Sequence, residues 1–258
     1  MRSPSRDRVR ILGSAVMTVV TWTGVAVATP SSSVWTPATT DVQAFRTLHV
    51  GVDNYFTVFR KAAEGAGDFP TAVGLTAGVL PSPKLQMEIG IDAVEPGDHP
   101  LYFNAKIGTP ENALFKGAPA LNLGVLNVGT ESGTTDQNVV HAMVGRTLPG
   151  LGRLFAGGYV GNGEVLVDAQ GDPARSGFMV AFDRGFALVQ DAGGRTYHRL
   201  VLAGDYASGR NAVGGGGLGV SWYFAGNVSL LTGPVWFNER AINGEWKWTV
   251  QLDANVPF

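Results

Sequence analysis

The sequence predicts an all-β chain forming a single antiparallel up-and-down barrel of about twelve strands, on three observations. Little helix-period patterning follows residue 40, whereas alternation of apolar and polar residues at period two recurs. Connections alternate between tight turns and long polar links, the rhythm of a barrel with short turns at one rim and long loops at the other. The chain also closes on "WKWTVQLDANVPF", residues 246–258, in which every second residue is apolar.

Taken in order, the expected strands are 44–53, 71–80 and 85–94, then 101–107, 120–128 and 139–147. They continue with 153–160, 177–183 and 199–206, and finish with 217–224, 228–237 and 246–258. The third is the clearest: Leu85, Met87, Ile89, Ile91 and Ala93 face one way, and Gln86, Glu88, Gly90 and Asp92 the other. The fourth sets Leu101, Phe103, Ala105 and Ile107 against Tyr102, Asn104 and Lys106. In the fifth, Leu126 breaks step with Leu121, Leu123 and Val125, and a bulge near Leu126 would restore the register. The sixth is apolar on both sides. The tenth sets Leu218, Val220, Trp222 and Phe224 against Gly219, Ser221 and Tyr223. Turns such as "PSPK" (81–84), "LPGLG" (148–152) and "AGN" (225–227) are tight, while 54–70, 129–138, 161–176, 207–216 and 238–245 are long. Two links, 108–119 and 184–198, fall where short turns belong and are expected to hold a short helix or an extra hairpin.

The chain has 258 residues, 36 glycines and no cysteine, so neither disulfides nor thiolate metal sites contribute. Nineteen Lys and Arg against 21 Asp and Glu leave no electrostatic footprint for nucleic acid. At the start, Arg2, Arg6, Arg8 and Arg10 precede an apolar run, residues 11–27, that ends on Ala26-Val27-Ala28. This reads as a secretory signal peptide over residues 1–28, cleaved near Ala28. Residues 29–43 are then expected as a periplasmic segment ahead of a barrel over 44–258. With an even strand count both ends share one side, and the long links become extracellular loops.

Alternation alone does not say which face is outside. A soluble barrel turns its apolar face inward and studs the other with Lys and Glu, but here the polar face is mostly Gly, Thr, Ser, Asn and isolated Asp. The last strand keeps an uncharged apolar face over roughly 40 Å, at about 3.3 Å per residue. Aromatic residues gather near strand ends, namely Trp222, Phe224, Trp236, Phe237, Trp246, Trp248 and Phe258. Such placement suits girdles at a lipid interface. The apolar face is therefore expected to meet lipid.

On these residues the terminal "VQLDANVPF" resembles the closing strand of bacterial outer-membrane β-barrel proteins, which end on an aromatic residue. The resemblance implies a Gram-negative outer-membrane location and recognition of Phe258 by the barrel assembly machinery. It also implies a porin-like function, passive transport of small solutes. Pro257 departs from the pattern by removing a ladder donor where the sheet must close.

The inward face is expected to line a lumen with His49, Asp53, Glu88, Asp92, Lys106, Asp183, Asp205, Lys247 and Asp253, acids in excess. Mixed charge of this kind tunes a pore, or plugs it through ion pairs. An outer-membrane hydrolase is the competing class, with His141 or His49 in its site. An adhesive or structural barrel is the third. No catalytic motif surrounds any of the four histidines, His49, His99, His141 and His198. Glu88 and Asp92 stand roughly 13 Å apart along one strand, too far for a glycosidase pair. The run Gly214 to Gly217 lacks the Lys-Ser or Lys-Thr of a phosphate loop and reads as a loop tip or a close approach of strands. No metal or other cofactor is expected.

Overall fold

The protein is described by a computed structural model over residues 33–58, 71–95 and 97–258. The expected signal peptide and most of the 54–70 link lie outside those residues. Twelve strands form: β1 (Thr47–Phe56), β2 (Thr71–Gly78), β3 (Gln86–Glu95), β4 (Leu101–Thr109), β5 (Ala120–Gly129) and β6 (Val139–Leu148). They continue with β7 (Gly152–Val160), β8 (Ser176–Gln190), β9 (Thr196–Ala207), β10 (Gly215–Ala225), β11 (Val228–Phe237) and β12 (Lys247–Pro257), with one helical turn, α1 (Arg240–Asn243), before the last. Each strand pairs antiparallel with its sequence neighbours, and β1 pairs with β12 from Thr47 opposite Pro257 to Phe56 opposite Trp248. The sheet is thereby closed and has no free edge.

Closure survives the missing proline donor because the next amide, that of Phe258, donates to the Arg46 carbonyl at 3.0 Å. The faces follow the period-two pattern. On β12, Thr249 and Gln251 are buried while Leu252 is 47% exposed, and on β5 Leu123 is 54% exposed. Apolar side chains thus cover the outside of the barrel. In water a surface of that extent aggregates, whereas against acyl chains it is at home. Among the described residues no helix is long and apolar enough to cross a membrane, so any crossing is made by the strands.

Three local features explain irregularities in the sequence. The β4–β5 register shifts between Phe103 and Ala105, and Asn127 takes a positive φ of 52°. This is the bulge expected near Leu126. The 184–198 link is a continuation of β8 and β9 into one long hairpin, paired as far as Gln190 opposite Thr196. β7 follows β8 only to Asp183, so on that side the hairpin runs on unpaired for about 23 Å at 3.3 Å per residue, while β10 stays paired with β9 to Leu200 and the turn after β10 reaches Tyr197. The 108–119 link holds no helix, and Glu111 ties it to the barrel through the Thr147 amide at 3.1 Å and Arg146 at 3.4 Å.

Candidate functional site

The lumen holds part of the chain itself. Residues 33–43, expected from the sequence in a periplasmic segment over 29–43, run through the barrel from the long-loop rim to the short-turn rim, and residues 29–32 lie outside the described residues. The polar interior drives the arrangement, because an inward carboxylate away from bulk water needs donors. Asp205 on β9 finds them in three consecutive backbone amides, those of Val34, Trp35 (3.0 Å) and Thr36 (3.2 Å). The Val34 carbonyl accepts from Gln251 Nε2 at 2.8 Å. Trp35 donates its indole N–H to the Val213 carbonyl at 3.0 Å and stands edge-on to Tyr55 and Phe237, with ring centres 5.4 and 4.9 Å away.

Lower down, Asn122 donates to the Thr39 carbonyl at 2.7 Å. Arg153 forks onto Asp41 at 2.6 and 3.0 Å and also binds Asp183, with a closest distance of 2.5 Å. Gln43 donates its amide to Glu88 at 2.6 Å, and Glu88 pairs with Lys106 at 2.8 Å. Glycines make room for the segment: a Cβ on Gly217 would lie 2.4 Å from Val34 Cγ1, and one on Gly145 would lie 2.6 Å from Thr40 Oγ1. The glycine run at 214–217 therefore marks a close approach of backbone.

The segment packs against an apolar side of the lumen. Ala38 joins Val139, Met143, Phe155, Tyr159 and Met179, together with Leu166 from the β7–β8 loop. Val34 joins Tyr55, Ala203, Leu231 and Val235. The two-sided apolarity of β6 has its reason here, since Val139 and Met143 face this inner core while Val140 and Val144 face outward. Lys247, at the outer end of β12, places its ammonium over the Phe237 ring at 5.7 Å.

The opposite side, formed by β12 and β1–β4, is polar. Direct register aligns Asp253, Gly51, Gly74 and Asp92 across four strands. The next row toward the short-turn rim aligns Asn255, His49, Thr76, Gly90 and Asn104. The His49 ring lies 3.1 Å from Asn255 Oδ1 and 3.4 Å from Asp253 Oδ1. Asn104 donates to Asp92 at 2.6 Å. Asp53, Thr76, Asp92 and Asn104 keep partial exposure, whereas Ser221 on β10, Leu231 on β11 and Thr249 on β12 itself are fully buried. Sequence reasoning named the charged members of this wall and Gly90 on β3, but not Gly51 on β1 or Gly74 on β2.

The expected interface aromatics fall in two belts. Trp222 and Phe224 stand exposed near the short turn after β10, while Trp236 and Trp246 stand exposed at the long-loop rim. Trp248 shares the upper belt and donates to Thr232 Oγ1 at 2.7 Å. Phe258 is 69% exposed beside the seam between β1 and β12. Of the histidines, His141 is buried beside Gly124 with no hydrogen-bond partner on either ring nitrogen, so it has neither a nucleophile to activate nor an orienting acid. His198 sits within β9 on the long hairpin.

No protein-family model and no curated protein matches the sequence. Solved barrels align at low identity. An outer membrane channel from Pseudomonas putida F1 is 11% identical over 84% of this chain and 97% of its own, with a TM-score of 0.44. A mutant Rh. blastica porin is 10% identical over 78% of this chain and 61% of its own, at 0.40. Salmonella typhi OmpF, in complex with daunomycin, is 8% identical over 81% and 96%, at 0.37. At these values neither a family nor a solute is assigned.

Proposed function

We propose that the chain is an outer-membrane channel of the porin type, exported by its signal peptide and assembled through its C-terminal strand. Small solutes cross it passively along the polar wall of β12 and β1–β4. One observation carries this reading: inside the closed barrel His49, Asp53, Thr76, Asp92 and Asn104 on β1–β4 keep partial exposure, while Thr47 and Tyr55 at the two ends of β1 and the inward Ser221, Leu231 and Thr249 are buried. Twelve strands about 4.8 Å apart, tilted about 40°, close on a backbone radius of about 12 Å. Side chains take about 5 Å of that radius, and an extended segment about 5 by 10 Å in section leaves roughly two thirds of the bore. That suffices for water, ions and small polar solutes. The reaction class is diffusion without turnover, and the polar wall favours cations.

The test is solute efflux from liposomes. The chain from Thr29, refolded and inserted, should release small sugars and amino acids at rates that fall with solute size. Vesicles that hold these solutes as tightly as protein-free ones would refute it.

A further inference from the structure

The polar wall of the lumen carries more than a diffuse negative charge. Asp92 leans over Gly74, for a Cβ there would lie 2.5 Å from its Oδ1. Asp253 leans over Gly51 in the same row, with its Oδ1 3.5 Å from the corresponding position. Since Gly51 and Gly74 are paired neighbours, the two carboxylates lie over adjacent strands, with His49 Nε2 also over Gly51, 3.3 Å from its Cβ position. Asp53 stands two residues along β1 from Gly51 on the same face. Asp253 is the second and independent signal. Its side chain is 7% exposed, and its Oδ2 has no hydrogen-bond partner although Oδ1 meets His49. A buried carboxylate oxygen without a donor is costly, and a ligand that donates to it recovers that cost.

From this geometry we propose that the wall binds a linear polyamine, an extended cation with ammonium groups on a methylene chain. This rests on the channel reading and names its solute class. Three features select the ligand. Of the two inward lysines on these strands, Lys106 is held by Glu88 at 2.8 Å and Lys247 stands over Phe237 at the long-loop end of β12, so in the rows between them three aspartates face one histidine. Among the described residues no three His, Cys, Asp or Glu side chains come close enough to hold one metal ion, so the charge is spread rather than focused. Strand spacing puts the Asp253 and Asp53 Cα atoms about 8 Å apart and the Asp253 and Asp92 Cα atoms about 14 Å apart. An ammonium donates three hydrogen bonds, and charge-assisted contacts to carboxylates are the strong kind.

Spermidine, with ethylammonium as the single-charge comparison, tests this by titration calorimetry on the chain from Thr29 refolded in detergent. Spermidine should bind at least about tenfold more tightly than ethylammonium, and the double variant D53N/D253N should lose about tenfold or more. Asp98→Asn, on an exposed loop, should change nothing. If the double variant does not refold, as judged by heat-dependent gel mobility, the single variant Asp92→Asn carries the same expectation. Spermidine heat that is absent, or that D53N/D253N and D98N leave equally unchanged, would overturn the site. The same preparation in a planar bilayer separates the two readings. Spermidine binding without conductance removes the channel and keeps the site, and conductance without spermidine binding removes the site and keeps the channel.

Discussion

Asp205→Ala should open the lumen. The carboxylate takes three consecutive amides of the inner segment. Hydrogen bonds to a charged acceptor contribute about 1.5 to 3 kcal/mol each, so three sharing one carboxylate hold residues 34–36 by about 3 to 6 kcal/mol once non-additivity is allowed for. At that strength the upper segment is detached for less than about one part in a hundred of the time. The alanine leaves Trp35 its indole bond and ring contacts and orphans the three amides, so the segment should detach often enough to be seen. Detachment returns up to about a third of the bore, as worked above, and conductance should rise about 1.5-fold in steps. Single-channel recording reads this directly, with deletion of residues 29–43 as the fully open reference. Conductance identical among the parent, the alanine variant and the deletion would refute the segment's role as a partial plug.

Three further outcomes follow from the same geometry. Leu123→Arg places a charge on the outward face of β5, where the leucine is 54% exposed, and should cost about 2 to 4 kcal/mol in denaturant unfolding from lipid vesicles. A water-facing position would give a change within about 0.5 kcal/mol. Burial works to raise the Glu111 pKa, but the Thr147 hydroxyl and amide and the Arg146 guanidinium outweigh it and hold the carboxyl below its ordinary range. Its tie of the 110–118 link is thus complete above the ordinary Glu value of about 4.3 and lost as pH falls through the lowered value. Hydrogen exchange across that link should quicken only in this acid window, and Thr147→Val should move the onset upward. Gly78→Ala should destabilise the barrel by about 1 to 3 kcal/mol, because the new Cβ would lie 1.9 Å from the Ala44 carbonyl oxygen, a backbone atom. An unchanged denaturant midpoint for this variant would show that the 43–46 turn yields freely.

The strand count and the two faces were legible because period-two patterning is local, and an apolar outside with polar side chains inside preserves it on β3, β4, β10 and β12. Even the bulge at Asn127 announced itself through Leu126. Residues 33–43 did not, for their sequence has no period and their partners, such as Asp205 and Gln251, lie about 170 to 220 residues away in the chain. Two traces of that contact were present without a partner to explain them: the apolar inner face of β6 and the glycines at 214–217. Asp205 and Asp53 look alike in sequence, as isolated acids on inward faces. One holds backbone amides, while the other faces the lumen beside Asp92 and Asp253, and that difference arises only when the barrel closes.

The central claim, a polar passage beside an inner segment, is most directly tested by conductance across a planar bilayer of the chain from Thr29, with ion selectivity taken from the reversal potential in a salt gradient. The account predicts discrete open steps with a cation preference that weakens in D53N/D253N. A folded, inserted barrel that stays silent, or one that prefers anions, would contradict it.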